Sequence, residues 1–165
     1  MQEITAFLKW LETTPLAAFV SQSPFGFPAM MTLHLVSVAI VVGMITVVDL
    51  RLMGLASMKS AVSDVCREAL PWTWSAFIVS ALTGAVLFMA QPVKYFDNYA
   101  FRVKFLLIVV AGINMLIFEF ITYRGVAAWD RDARVPLAAK LAGLISLLAW
   151  IAIVAYGRWT AYYML

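Results

Sequence analysis

Four long apolar stretches, separated by short polar, proline-bearing or glycine-bearing breaks, set the pattern of this chain. The first runs from about residue 28 to 50, after the turn-rich Ser23-Pro24-Phe25-Gly26-Phe27-Pro28, whose last proline can open a helix. The second covers about 72–91 and is stopped by Pro92, and the third about 98–124, with Asp97 or Asn98 as its cap. The fourth extends over about 136–162. Each is long enough to cross the roughly 30 Å hydrocarbon layer of a bilayer as a helix. Ahead of them Ile4, Phe7, Leu8 and Leu11 follow the i, i+3, i+4, i+7 spacing, with Glu3, Lys9 and Glu12 elsewhere. That pattern predicts an amphipathic helix over about 3–13, lying in the membrane interface. Thr14-Pro15 reads as a cap followed by a first-turn proline, opening a second short helix to about Gln22. The expected fold is all-α: one membrane domain over residues 1–165, a four-helix integral membrane bundle with an interfacial N-terminal helix.

Small residues at four-residue spacing mark expected packing faces. They are Ala39 and Gly43 on the first span, Ser80, Ala81, Gly84 and Ala85 on the second, and Ala139 and Gly143 on the fourth. Composition agrees with burial in lipid. Of 165 residues, 64% are hydrophobic and 13% charged, against roughly 25% charged in soluble domains, and the mean hydropathy is +0.92. The formal charge of +3 is spread over the connections, so no nucleic-acid partner is expected. Cys66 is the only cysteine, which excludes an intrachain disulfide and a cysteine-based metal site.

Lysine and arginine counts predict the orientation. The connections after spans one and three hold Arg51, Lys59, Arg67, Arg124, Arg131, Arg134 and Lys140, against Lys9, Lys94, Arg102, Lys104 and Arg158 at the other end. The bias puts both termini on the periplasmic side. Trp72 and Trp74 would then belt the cytoplasmic face, and Tyr95, Tyr99, Trp159, Tyr162 and Tyr163 the outer one.

Ionisable groups within spans are costly and point at protein or water, so their placement carries the candidate chemistry. His34, the only histidine, precedes Asp49 by fifteen residues, and Lys104 precedes Glu119 by the same number. Spans one and three run in the same direction, so two layers result. The outer gathers His34, Lys104, Arg102 and Arg158, with Met89 and Gln91 at the end of span two. The inner gathers Asp49, Arg51, Glu119 and Arg124, and interhelical ion pairing of Glu119 with Arg51 or Arg124 is its structural reading. A proton or ion path would instead draw on Thr46, Thr83, Asn114 and Ser146 at mid-depth. In the outer layer three readings of His34 stay open. It is a structural histidine bonded across helices, or an axial ligand to haem b, with Met89 or Met31 opposite and Arg102, Lys104 or Arg158 beside the propionates. Alternatively, with Met30 and Met31 on the preceding turn, it is a Cu(I) ligand. No hydrolytic, nucleotide-binding or zinc-protease motif is visible, and no independent catalytic activity is expected.

The first span, with a histidine, a glycine nine residues on and then Asp49-Leu50-Arg51-Leu52-Met53-Gly54, resembles a family of uncharacterised bacterial four-helix membrane proteins marked by an H…G…DLRLLG span. Phe101-Arg102-Val103-Lys104 looks like that family's F-R-x-K opening of span three. More distantly the layout is similar to the membrane domain of CopD-type copper-resistance proteins, whose additional histidines and methionines are missing here. The resemblance implies a multi-pass protein of the bacterial inner membrane, surrounded by lipid, with no activity attached. The functional expectation is a non-catalytic subunit or scaffold of a membrane assembly, with a membrane or periplasmic protein or a second copy as partner. The alternative is a carrier of haem b or copper.

Overall fold

A computed structural model describes residues 2–131 and 135–162, so Arg134 and Tyr163 of the sequence expectations lie outside the described residues. These residues form seven α-helices and no strand. α1 (Gln2–Glu12) and α2 (Pro15–Gln22) precede α3 (Gly26–Met53) and α4 (Val62–Ala90). Then come α5 (Pro92–Asp97), α6 (Tyr99–Ile117) and α7 (Leu137–Tyr162). α6 continues through a π-helical turn, Phe118–Thr122, into a 3₁₀ stretch, Tyr123–Ala128. Four helical segments are long and apolar enough to cross a membrane: Gly26–Met53, Val62–Ala90, Tyr99–Ala128 and Leu137–Tyr162.

Local signals account for three of the helix ends. The Thr14 hydroxyl accepts from the Ala17 N–H at 3.4 Å, with Pro15 in the first turn. Asn98 caps α6 by accepting from the Phe101 N–H at 3.2 Å, and its amide donates to the Thr160 carbonyl at 3.0 Å, tying α6 to the end of α7. α3 ends at Gly54, whose left-handed conformation (φ 76°) lets its N–H return to the Arg51 carbonyl while the Leu55 N–H reaches Leu50.

The second span starts about ten residues earlier than expected. Pro71 sits inside α4 on an exposed face, and the turns before it bury Val62, Val65, Cys66 and Ala69. That i, i+3, i+4, i+7 stripe packs with Val48, Leu52, Trp129, Val135 and Ala139 into a core at the Arg51 end of the bundle. Burial of this stripe outweighs the hydrogen bond that proline cannot make. Pro92 ends α4 as expected but immediately opens α5, which the sequence reading did not contain. Tyr95, expected in an interfacial belt, is buried there, its ring tilted by 49° against that of Phe101 with centroids 5.2 Å apart.

The long helices pack as two hairpins, α3 with α4 and α6 with α7, joined through α3 and α7. At the joint, Gly143 and Ala139 are buried, and a Cβ on Gly143 would lie 2.9 Å from the Asp49 carbonyl oxygen. The expected face of Ala39 and Gly43 is not used inside the chain: both are exposed, and nothing lies within 4 Å of a Cβ on Gly43. Both helices carry the same small-residue spacing, and only the arrangement of partners selects between them.

Candidate functional site

His34 is half-buried on α3, with Nδ1 2.9 Å from the Ser80 carbonyl and 3.2 Å from the Thr83 hydroxyl. A carbonyl only accepts, so Nδ1 carries a proton, and in the neutral ring Nε2 is then the free acceptor. The ring lies against Gly84, where a Cβ would come within 3.2 Å of Cε1. Of the small residues expected on α4, Ser80 and Gly84 thus meet the histidine, while Ala81 and Ala85 are exposed. Lys104 is within coulombic reach of His34, as the matched depths predict, and its ammonium lies beside Gly157 of α7. The rest of the expected outer layer does not converge. Arg102 is exposed, and Arg158 is exposed with its guanidinium 5.2 Å from the centre of the Tyr162 ring. Met30, Met31 and Met89 are each half-buried. Among the described residues no group of three His, Cys, Asp or Glu side chains is placed to hold a metal.

The inner layer differs from the expected ion pairs. Arg51 is 1% exposed, and its Nε donates to the Ser60 carbonyl at 2.9 Å and its Nη2 to the Asp130 carbonyl at 3.1 Å. The guanidinium therefore bonds the α3–α4 loop to the segment after the 3₁₀ stretch. It does so because the Gly54 turn brings Ser60 back beneath it and the arginine fork reaches two carbonyls at once. Glu119 and Arg124 are exposed, and among the described residues the one ion pair is Arg67–Asp64 at 2.9 Å, on the surface. Asp130 was missed altogether. Its carboxylate accepts from the Ser63 N–H and the Ser63 hydroxyl, both at 2.7 Å, capping α4. These bonds, the backbone one foremost, hold its carboxyl below the usual aspartate range.

Asp49 faces the other way from Arg51, since side chains two apart on a helix diverge. It is 4% exposed, the Ser146 hydroxyl is within hydrogen-bonding reach, and Oδ2 has no partner. It borders a cavity of about 310 Å³ between the two hairpins, which arises because α6 packs on α7 and leaves its side toward α4 uncovered. The walls are largely apolar, with Trp74 and Phe77 on α4, Phe118 after α6 and Trp150 on α7. Glu119, in the π-helical turn, borders the same cavity, and no lysine or arginine does. Asp49 and Glu119 both lie within coulombic reach of Cys66, so the matched depths did bring them to one end. Of the mid-depth polar residues, Asn114 donates to the Ala142 carbonyl at 3.0 Å, linking α6 to α7, and Thr46 bonds within its own helix.

Four spans, helical throughout, make this a multi-pass membrane protein. The chain belongs to the family of unknown function DUF6644, whose model matches residues 7–163. No curated protein and no solved structure matches it.

Proposed function

We propose that the protein is a non-catalytic binding component of a bacterial cytoplasmic membrane, a subunit or scaffold whose working surface is the cavity between α4 and α6. The observation that carries this reading is the Asp49 carboxylate, buried, with an oxygen left unpartnered, on the wall of an apolar cavity. The long-range polar bonds elsewhere in the bundle are consumed in joining helices: His34 to α4, Asn98 and Asn114 to α7, Arg51 to two loops. Asp49 can meet the Ser146 hydroxyl of α7 through one oxygen, but its Oδ2 is left over, and a spare buried carboxyl oxygen beside a cavity is a binding determinant by default. The charge bias of the connections supports termini on the periplasmic side.

The test is a photoreactive amino acid at Gly112 or Leu116, which border the cavity, compared with Ile40 or Val47 on exposed faces. The cavity positions are expected to yield an adduct of defined mass from cells, and the others bulk lipid alone. Identical lipid adducts from all four positions would overturn the reading.

A second reading, His34 as a ligand to haem b or Cu(I), is favoured by one observation. Its Nδ1–H is bound to a carbonyl while Nε2 is left open, the state in which ligating histidines are held. His34 is not among the residues bordering the cavity. An absorption spectrum and metal analysis of protein taken gently from its own membrane separate the cases. A Soret band altered in His34→Ala assigns haem, and copper lost from a Met30, Met31 double variant assigns copper. If neither is found and His34→Ala changes only stability, by about 1–3 kcal/mol, His34 is a clasp between α3 and α4.

A further inference from the structure

The cavity also carries the chemistry of what fills it, an inference that rests on the binding reading above. Three features define the occupant. The walls are apolar, so its body is apolar and it is reached from the bilayer. The two residues bordering the cavity that carry a carboxyl group, Asp49 and Glu119, are in no ion pair among the described residues, and the nearest arginine in sequence, Arg51, donates to loop carbonyls on another face. Four aromatic rings, of Trp74, Phe77, Phe118 and Trp150, border the same space, and aromatic faces attract cations.

We propose that the cavity binds a lipophilic organic cation, a slim apolar molecule with an ammonium head that sits between Asp49 and Glu119. The head supplies a countercharge that lets Asp49 ionise where it is buried. The size suits a small molecule: about 310 Å³ lies within the range of single-ligand sites. The charge favours a free amine over a zwitterionic lipid, whose phosphate two carboxylates would repel. The π-helical turn is what brings Glu119 in: it adds a residue to the turn following α6, an irregularity that recurs at binding sites.

The experiment uses the full chain in lipid nanodiscs and three probes sharing one brominated octyl chain, with trimethylammonium, uncharged dimethylbutyl or sulfonate heads. Bromine quenches tryptophan on contact, so Trp74 and Trp150 report occupancy. The ammonium probe is expected to quench saturably and at least about ten-fold more tightly than the other two. Glu119→Gln, an exposed side chain whose loss leaves the core intact, is expected to weaken it about ten-fold, as is Asp49→Asn. A Trp74→Phe, Trp150→Phe double variant should lose the saturable signal. Gly112→Phe, which adds bulk at a cavity-bordering position with open space around its Cβ, should abolish binding. If all three probes bind alike and only Gly112→Phe matters, the cavity takes apolar ligands and the cation proposal falls while the binding reading stands. If Gly112→Phe changes nothing, both fall. Displacement of the ammonium probe by phosphatidylethanolamine in the disc would assign the head to lipid and overturn the free amine. A photo-adduct with a protein chain that excludes the probe would assign the cavity to a partner helix and do the same.

Discussion

Replacing Gly143 by alanine puts a methyl group 2.9 Å from a backbone oxygen, that of Asp49, and 3.2 Å from the Cβ of Leu52. Neither can swing aside, so α3 and α7 must separate. Overpacking of this kind costs about 1–3 kcal/mol. Alanine also removes the conformational freedom of glycine in a helix, which contributes about 0.5–1 kcal/mol in the opposite sense. Gly43 isolates that second effect, because nothing lies within 4 Å of its Cβ position. Gly43→Ala should therefore raise stability slightly, and Gly143→Ala should fall below it by about 1–3 kcal/mol. At about 2–4 °C per kcal/mol for a chain of this length, the two melting temperatures should differ by roughly 2–12 °C. The chain supplies its own reporter. Cys66 is the only cysteine and 1% exposed, so a thiol-reactive fluorophore added in detergent reads unfolding directly. A Gly143→Ala protein that melts with or above Gly43→Ala would refute the close approach of α3 and α7.

The guanidinium of Arg51 holds two loops through bonds worth roughly 1.5–3 kcal/mol each. Arg51→Met is thus expected to melt below Gly143→Ala, and Arg51→Lys, lacking the fork, to recover only part; a wild-type melting curve for Arg51→Met would make the bonds incidental. Asp130 is held below its ordinary range by Ser63, so its contribution is complete above the unfolded value of about 3.9 and is lost as pH falls below it. The melting gap between wild type and Asp130→Asn should be widest near neutrality and close below about pH 4, and a gap unchanged at pH 3 would sink this account. Orientation is best read at exposed Ser60 rather than at buried Cys66, which resists labelling from either side. In a Cys66→Ala background, Ser60→Cys should react with an impermeant maleimide only after cells are opened and Thr13→Cys in intact spheroplasts; the reverse pattern turns the topology over.

The sequence by itself determined the existence of the four spans, the two short N-terminal helices and the Thr14 cap, and narrowed the cap of the third span to Asp97 or Asn98. Each is a local property: a length of apolar chain, or a side chain that bonds a backbone group three residues on. It also placed His34 level with Lys104 and Asp49 level with Glu119, since depth along parallel helices follows from counting residues. Partners were another matter. In water a helix advertises its buried side by an apolar stripe. In lipid every face is apolar, and that asymmetry is missing. Nothing local therefore distinguished Ala139 and Gly143, which are buried, the glycine against α3, from Ala39 and Gly43, which stay exposed. Arg51 was expected to seek Glu119 because a charge needs a counterpart. The tertiary structure offered two loop carbonyls instead, and those are created only when the Gly54 turn and the Asp130 segment come together. The cavity is the clearest case. Its walls come from four helices, it exists because α6 leans on α7 and away from α4, and the carboxylates beside it acquire their meaning from that gap.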